Sequence, residues 1–99
     1  MVIDINEHEF DEKMIGKCVV AFSTSWCGPC KMLAPVFEEL SEEMEDVPFY
    51  KVDADVNVSL GTDFDIVSVP TLIVFEDGNV VNKASGFMDK DKLKAFISG

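Results

Sequence analysis

Two cysteines flank a Gly-Pro pair in the segment Trp26-Cys27-Gly28-Pro29-Cys30. This spacing lets a disulfide close with almost no reorganisation of the chain, so the pair is suited to thiol-disulfide exchange. An apolar run typical of a buried strand ends just before the segment, and a helical apolar pattern begins just after it. Cys27 therefore falls at a helix N-terminus, where the helix dipole and unpaired N–H groups favour the attacking thiolate. We predict that Cys27 captures a substrate disulfide and that Cys30, one turn further in and more buried, resolves the mixed disulfide.

The rest of the chain predicts the elements that position this segment. Residues 18–23 form a continuous apolar run, as in a strand covered on both faces. Residues 31–44 carry apolar side chains at helical spacing, interrupted by Pro35. The other predicted strands are 2–5, 49–53, 71–76 and 79–85, and the other predicted helices are 7–14 after an Asn6 cap, 58–64, and a last one after an Asp89 cap. Asp77-Gly78 predicts a hairpin, so the order indicates an α/β domain with a mixed sheet and helices on both faces.

Length, composition and charge limit the classes of protein to which the chain can belong. The chain has 99 residues, 47% of them hydrophobic, which predicts a single domain over residues 1–99. The net charge of -11 argues against binding to nucleic acid or to anionic membranes. No run approaches the roughly 20 apolar residues of a membrane span, and the first residues lack the features of a signal peptide. We therefore expect a soluble cytoplasmic protein, and we expect it to be a monomer.

The three cysteines argue for a catalytic dithiol in a reducing compartment, because one is left over after the obvious pair. The odd one, Cys18, starts an apolar strand and is predicted to be a small buried hydrophobe, with a second redox or modification site as the alternative. A zinc module of Cys27, Cys30, Cys18 and His8 is another alternative, although the last two are isolated in the sequence. We predict no metal and no cofactor other than a redox-active disulfide.

The segment resembles the active-site motif of the thioredoxin family, Trp-Cys-Gly-Pro-Cys-Lys, which is present here as residues 26–31. The resemblance extends over nearly the whole chain in the family order. It includes the Ala-Pro of the active-site helix at 34–35, the middle strand at 51–53, the cis-proline loop at 69–71, the hairpin at 75–78 and the glycine at 86. This resemblance implies a single-domain thioredoxin fold.

The resemblance also implies a function, that of a general protein-disulfide reductase acting on many protein disulfides. A separate thioredoxin reductase would recharge the dithiol, because the chain has no glycine-rich nucleotide fingerprint of its own. The sequence does not indicate which electron donor that reductase uses. The alternative is a thioredoxin-fold binding or assembly subunit, in which docking rather than redox turnover is the function.

By the same resemblance, a substrate groove surrounds Cys27. Pro70 is expected to be cis and to face the dithiol, where Val69 can offer backbone hydrogen bonds to an extended substrate segment. The residues expected to form a flat apolar surface there are Trp26, Gly28, Pro29, Val69, Pro70, Gly86 and Phe87. A core position for Trp26 is the alternative interpretation.

The chain departs from the family pattern beside the motif. Ala21 stands where the family usually has a buried aspartate, and Ser23 stands where it often has a tryptophan. Lys51 matches the lysine that pairs with that aspartate, so it lacks its usual partner, while Asp53 lies on the same strand face and is expected to support the site. The family carboxylate helps to move the proton of the resolving thiol. Rates and pH dependence therefore cannot be carried over from the family.

Overall fold

A computed structural model describes the whole chain, from Met1 to Gly99. Its elements are β1 (Val2–Asp4), α1 (Phe10–Lys13), β2 (Lys17–Ser23), α2 (Gly28–Glu43), β3 (Phe49–Asp53), α3 (Val58–Asp63), β4 (Thr71–Glu76), β5 (Asn79–Ser85) and α4 (Lys90–Ser98). The predicted order of strands and helices is confirmed. None of the helices is both long enough and apolar enough to span a membrane.

The first helix is shorter than predicted. Only Phe10–Lys13 is helical, and the preceding residues form turns. Asn6 Oδ1 accepts hydrogen bonds from the amides of His8 at 2.9 Å and Glu9 at 3.2 Å. The predicted cap therefore exists, but it closes a turn ahead of the helix, because a short Asn side chain offers local amides an alternative to helical bonding.

The five strands form one mixed sheet in the order β1-β3-β2-β4-β5. Strand β3 lies parallel to both β1 and β2, whereas β4 runs antiparallel to β2 and to β5. The interior position of β2 explains its continuous apolar sequence, since both of its faces are covered. Its C-terminal end is thereby fixed in the middle of the sheet, immediately before the two cysteines.

The core has two layers, one on each face of the sheet. Val20 and Phe22 of β2 belong to the layer that also contains residues of α1 and α3. Val19 and Ala21 belong to the other layer, with apolar residues of α2 and α4. This alternation follows from the two-residue period of a strand. It confirms the prediction of helices on both faces of the sheet.

The hairpin between β4 and β5 turns as predicted. Asp77 and Gly78 both have positive φ, 50° and 85°, as a two-residue type I′ turn requires. The Gly16 amide donates to Asp77 Oδ1 at 2.8 Å, which ties the turn to the loop before β2. At the last helix, Asp89 Oδ1 accepts from the Lys92 amide at 2.9 Å, so the predicted cap is present.

Cys18 is completely buried, which confirms the prediction of a small buried hydrophobe. Its Sγ lies 3.7 Å from Met14 Sδ, the acceptor of its thiol. Burial, with a smaller contribution from the charge of Glu76, raises the pKa of the Cys18 thiol to about 11. The thiol is therefore neutral at physiological pH and poorly reactive in the folded protein.

Candidate active site

The two motif cysteines lie at the N-terminus of α2. Cys27 is the N-cap residue, with extended backbone angles, and its Sγ accepts a hydrogen bond from the Cys30 amide at 3.1 Å. The two residues form a disulfide, with their Cα atoms 5.2 Å apart. The prediction that Cys27 lies at a helix N-terminus is confirmed. In the reduced protein the same amide and the helix dipole would favour a thiolate on this sulfur.

Burial does not distinguish the two cysteines. Cys27 is 4% exposed and Cys30 is 7% exposed, so the prediction that Cys30 is the more buried is wrong for this disulfide form. The reason is that the Val69 carbonyl oxygen lies 3.5 Å from Cys27 Sγ and covers it. The difference between the two sulfurs is instead their hydrogen bonding, because Cys27 Sγ is the one that caps the helix.

The loop opposite the dithiol is built around a cis peptide bond between Val69 and Pro70, as expected. Pro70 is buried and Val69 is half-buried. Thr71 Oγ1 donates to the Ser68 carbonyl at 2.7 Å, and the Gly86 amide donates to the Pro70 carbonyl at 2.8 Å. These bonds hold the loop against the end of β5, so the wall facing Cys27 has a defined position.

Trp26 lies at the surface, which rules out the alternative of a core aromatic. Its side chain is 69% exposed, and its indole Nε1 donates to Asp55 Oδ2 at 2.7 Å. Phe87 and Val67, on neighbouring loops, are also exposed, the latter by 93%. The sequence analysis did not identify Asp55 or Val67, because neither belongs to a local motif that could link it to the dithiol.

A cavity of about 250 Å³ lies behind Cys30, between α2 and the sheet. Ala21, which is 4% exposed, forms part of its wall. The charged residues that line it are Lys31 and Lys51, and no carboxylate lines it. The cavity next to the resolving cysteine therefore contains two cationic residues and no acid.

Lys51 pairs with Ala21 in the parallel register of β2 and β3. It is exposed and takes part in none of the ion pairs of the structure. Asp53 takes part in none of these ion pairs either, and its Oδ1 accepts a hydrogen bond from the Asp55 amide at 2.9 Å.

The structure brings together no group of three or more His, Cys, Asp or Glu side chains with the geometry to hold a metal ion. His8 is exposed, and Cys18 belongs to the core layer on the other face of the sheet from Ala21. The four residues of the zinc alternative are therefore not assembled into one site.

The thioredoxin family model matches residues 1–99 of the chain. The chain belongs to the thioredoxin family. It is 40% identical over 94 residues to thioredoxin from Mycoplasmoides gallisepticum, with 93% of this chain and 94% of that protein covered. It is 43% identical to thioredoxin from Staphylococcus aureus, with 93% and 90% covered. The crystal structure of thioredoxin from Malassezia sympodialis superposes with a TM-score of 0.90 at 35% identity, covering 99% of this chain and 89% of that one.

Membership of the family and the disulfide-bonded pair make this protein a thiol-disulfide oxidoreductase of the thioredoxin type. The fold is the thioredoxin fold, as the sequence analysis predicted. Members of the family are generally reduced by a thioredoxin reductase and act on protein disulfides.

Proposed function

We propose that this protein is a general protein-disulfide reductase in which Cys27 attacks the substrate and Cys30 releases it. The observation that carries the proposal is the hydrogen bond from the Cys30 amide to Cys27 Sγ at the N-terminus of α2. A sulfur in that position is stabilised as the thiolate, which is the nucleophile of disulfide exchange. The exposed Trp26 beside it supplies apolar area for a partner protein.

The reaction proceeds in two exchange steps. The Cys27 thiolate attacks one sulfur of a substrate disulfide, forms a mixed disulfide, and expels the other substrate sulfur as a thiolate, which takes a proton from water. The Cys30 thiol then loses its proton and attacks Cys27 Sγ. The Cys27–Cys30 disulfide forms, the second substrate sulfur leaves as a thiolate and is protonated, and two electrons have passed to the substrate.

The groove residues position the substrate. Val69 offers backbone hydrogen bonds to an extended segment of the partner, and Pro70 forms the wall behind it. Exposed Gly28 and Pro29 allow close approach of another chain. Gly86 fixes the far side of the groove through its bond to the Pro70 carbonyl. Lys51, which lines the cavity behind Cys30, and Asp53, two residues further along β3, act in support.

We further propose a cytoplasmic monomer that receives electrons from a separate thioredoxin reductase and passes them to several protein disulfides. No metal and no cofactor beyond the Cys27–Cys30 disulfide is needed for this cycle. The overall charge of -11 supports the absence of nucleic-acid and anionic-membrane partners from this scheme.

The test is reduction of a protein disulfide by the purified protein, recharged in turn by NADPH-dependent and ferredoxin-dependent reductases. Wild type should turn over with one of them. Cys27→Ser should be inactive, and Cys18→Ser is the matched control that should retain activity, because Cys18 lies on the other face of the sheet. If the protein with both Cys27 and Cys30 replaced by serine kept its cellular role, docking and not redox turnover would be the function.

A further inference from the structure

Thr24, in the loop between β2 and the dithiol, carries an unpaired hydroxyl. The residue follows β2 directly, is 7% exposed, and its Oγ1 is buried without any hydrogen-bond partner. Buried hydroxyl groups are nearly always paired, because an unpaired one has lost its bonds to water and gained nothing in return. In the disulfide form, the Thr24 hydroxyl is therefore a hydrogen-bond donor without a protein acceptor.

The two sulfurs differ in their relation to this hydroxyl. Cys27 Sγ already accepts a hydrogen bond from the Cys30 amide, and it does not line the cavity behind Cys30. Cys30 lines that cavity together with Thr24. Of the two sulfurs, the one that shares a cavity with the unpaired hydroxyl is the one without a helix amide to stabilise it.

We propose that the Thr24 hydroxyl donates a hydrogen bond to Cys30 Sγ when the disulfide is reduced, and so favours the dithiol over the disulfide. This inference concerns the same Cys27–Cys30 pair as the proposed function. Reduction breaks the bond between the two sulfurs, adds two electrons and two protons, and leaves each cysteine as a thiol that can ionise. The electrons come from a thiol reductant, which is oxidised to its own disulfide.

The hydrogen bond from Thr24 to Cys30 Sγ would also affect the resolving step, because hydrogen bonds to a charged acceptor are stronger than those to a neutral one. Donation from Thr24 would favour the Cys30 thiolate, the form that attacks the mixed disulfide. The charged groups that face the same cavity are Lys31 and Lys51, and no carboxylate or imidazole lines it. The pH dependence of the Cys30 alkylation rate near neutrality would therefore report the ionisation of the Cys30 thiol itself.

The experiment compares Thr24→Val, which removes the hydroxyl and keeps the shape, with Thr24→Ser, which keeps the hydroxyl. Thr24→Ala is a second removal variant with less bulk, in case the valine protein folds poorly. The first readout is the equilibrium between dithiol and disulfide in glutathione buffers at fixed pH. The second is the rate of Cys30 alkylation against pH, measured in a Cys27→Ser background.

Removal of the hydroxyl should shift the equilibrium about tenfold toward the disulfide, or about 30 mV for this two-electron couple. At pH values below the pKa of the thiol, it should also lower the rate of Cys30 alkylation about tenfold. The rate for Thr24→Ser should stay within about twofold of wild type. Wild-type behaviour of both the valine and the alanine protein would overturn the inference. Equal shifts in all three variants would overturn it as well, since packing rather than the hydroxyl would then be responsible. A wild-type protein that cannot cycle between dithiol and disulfide would instead refute the proposed function.

Discussion

Ala21→Asp places a carboxylate in the cavity behind Cys30, where relatives in the family usually have one. Ala21 is 4% exposed, so the new group would lose much of its contact with water. The cavity of about 250 Å³ leaves room for the added atoms, and the cost is therefore one of desolvation rather than of overlap. Lys51, opposite in register, offsets only part of that cost because it is exposed. We expect the free energy of unfolding at pH 7 to fall by about 1–3 kcal/mol.

The loss of unfolding free energy should depend on pH, and burial of the new carboxyl group determines the direction of that dependence. Burial raises the pKa of a carboxyl group above its unfolded value of about 3.9. The folded protein then holds the proton more tightly than the unfolded chain, so stability relative to wild type falls as the pH rises from about 4 through the folded pKa. Ala21→Asn is the matched control, since it adds a polar group of nearly the same size that does not titrate.

Denaturant melts of wild type and both variants between pH 4 and pH 8 test this reasoning, together with rates of protein-disulfide reduction over the same range. The Asp variant should acquire an additional ionisation in its rate profile near neutral pH, because its carboxylate can accept the proton of Cys30. The Asn variant should not. If both variants lost stability equally at every pH, position 21 would not be the buried neighbour of Cys30 described above.

Limited alkylation of the reduced protein should label Cys27 first, because its sulfur caps α2, and peptide mapping that found another thiol labelled first would reverse the assigned roles. Cys30→Ser should trap a mixed disulfide with a protein substrate on a non-reducing gel, and the absence of any complex would leave the exchange scheme without support. Asp55→Ala should change the fluorescence of Trp26, the single tryptophan, and lower kcat/KM about twofold to tenfold, whereas Asp55→Asn, which keeps an acceptor, should do neither. Burial raises the pKa of Cys18 from 9.0 to about 11, so the stability contributed by its neutral thiol is present below pH 9 and is lost as the pH rises to 11. The stability difference between wild type and Cys18→Ala should change by about 2–3 kcal/mol over that range, and a constant difference would contradict the assigned burial.

The predicted elements that the structure confirms are those set by neighbouring residues. The hairpin at Asp77-Gly78 and the cap at Asp89 depend on backbone angles and bonds within a few positions, so the sequence contains all that determines them. The predicted length of the first helix is wrong even though its cause is also local. Its periodic pattern continues through residues whose amides are captured by Asn6, and a pattern of apolar residues does not record that competition.

The site was predictable where a motif carries its own geometry, as in the placement of Cys27 at a helix N-terminus. Where distant segments meet, it was predicted only through the family resemblance, as for the Pro70 loop, or not at all. The hydrogen bond between Trp26 and Asp55 joins the segment after β2 to the segment after β3. The contact between the Val69 carbonyl oxygen and Cys27 Sγ likewise joins segments that are far apart in the sequence. Such contacts depend on the register of the sheet and the packing of loops, which short motifs and apolar periodicity do not reveal.

Ala21 and Thr24 are best understood together, because both border the cavity behind Cys30. An alanine removes the acid that would accept the proton of the resolving thiol, and a threonine adds a hydroxyl that can stabilise the thiolate left behind. With two lysines as the only charged residues that line the cavity, the Cys30 thiolate would be favoured by donors and cations rather than formed by a base. The resolving step of the wild-type protein should then follow the ionisation of the thiols alone. A second ionisation near neutral pH in its reduction profile would show that some other group accepts the proton.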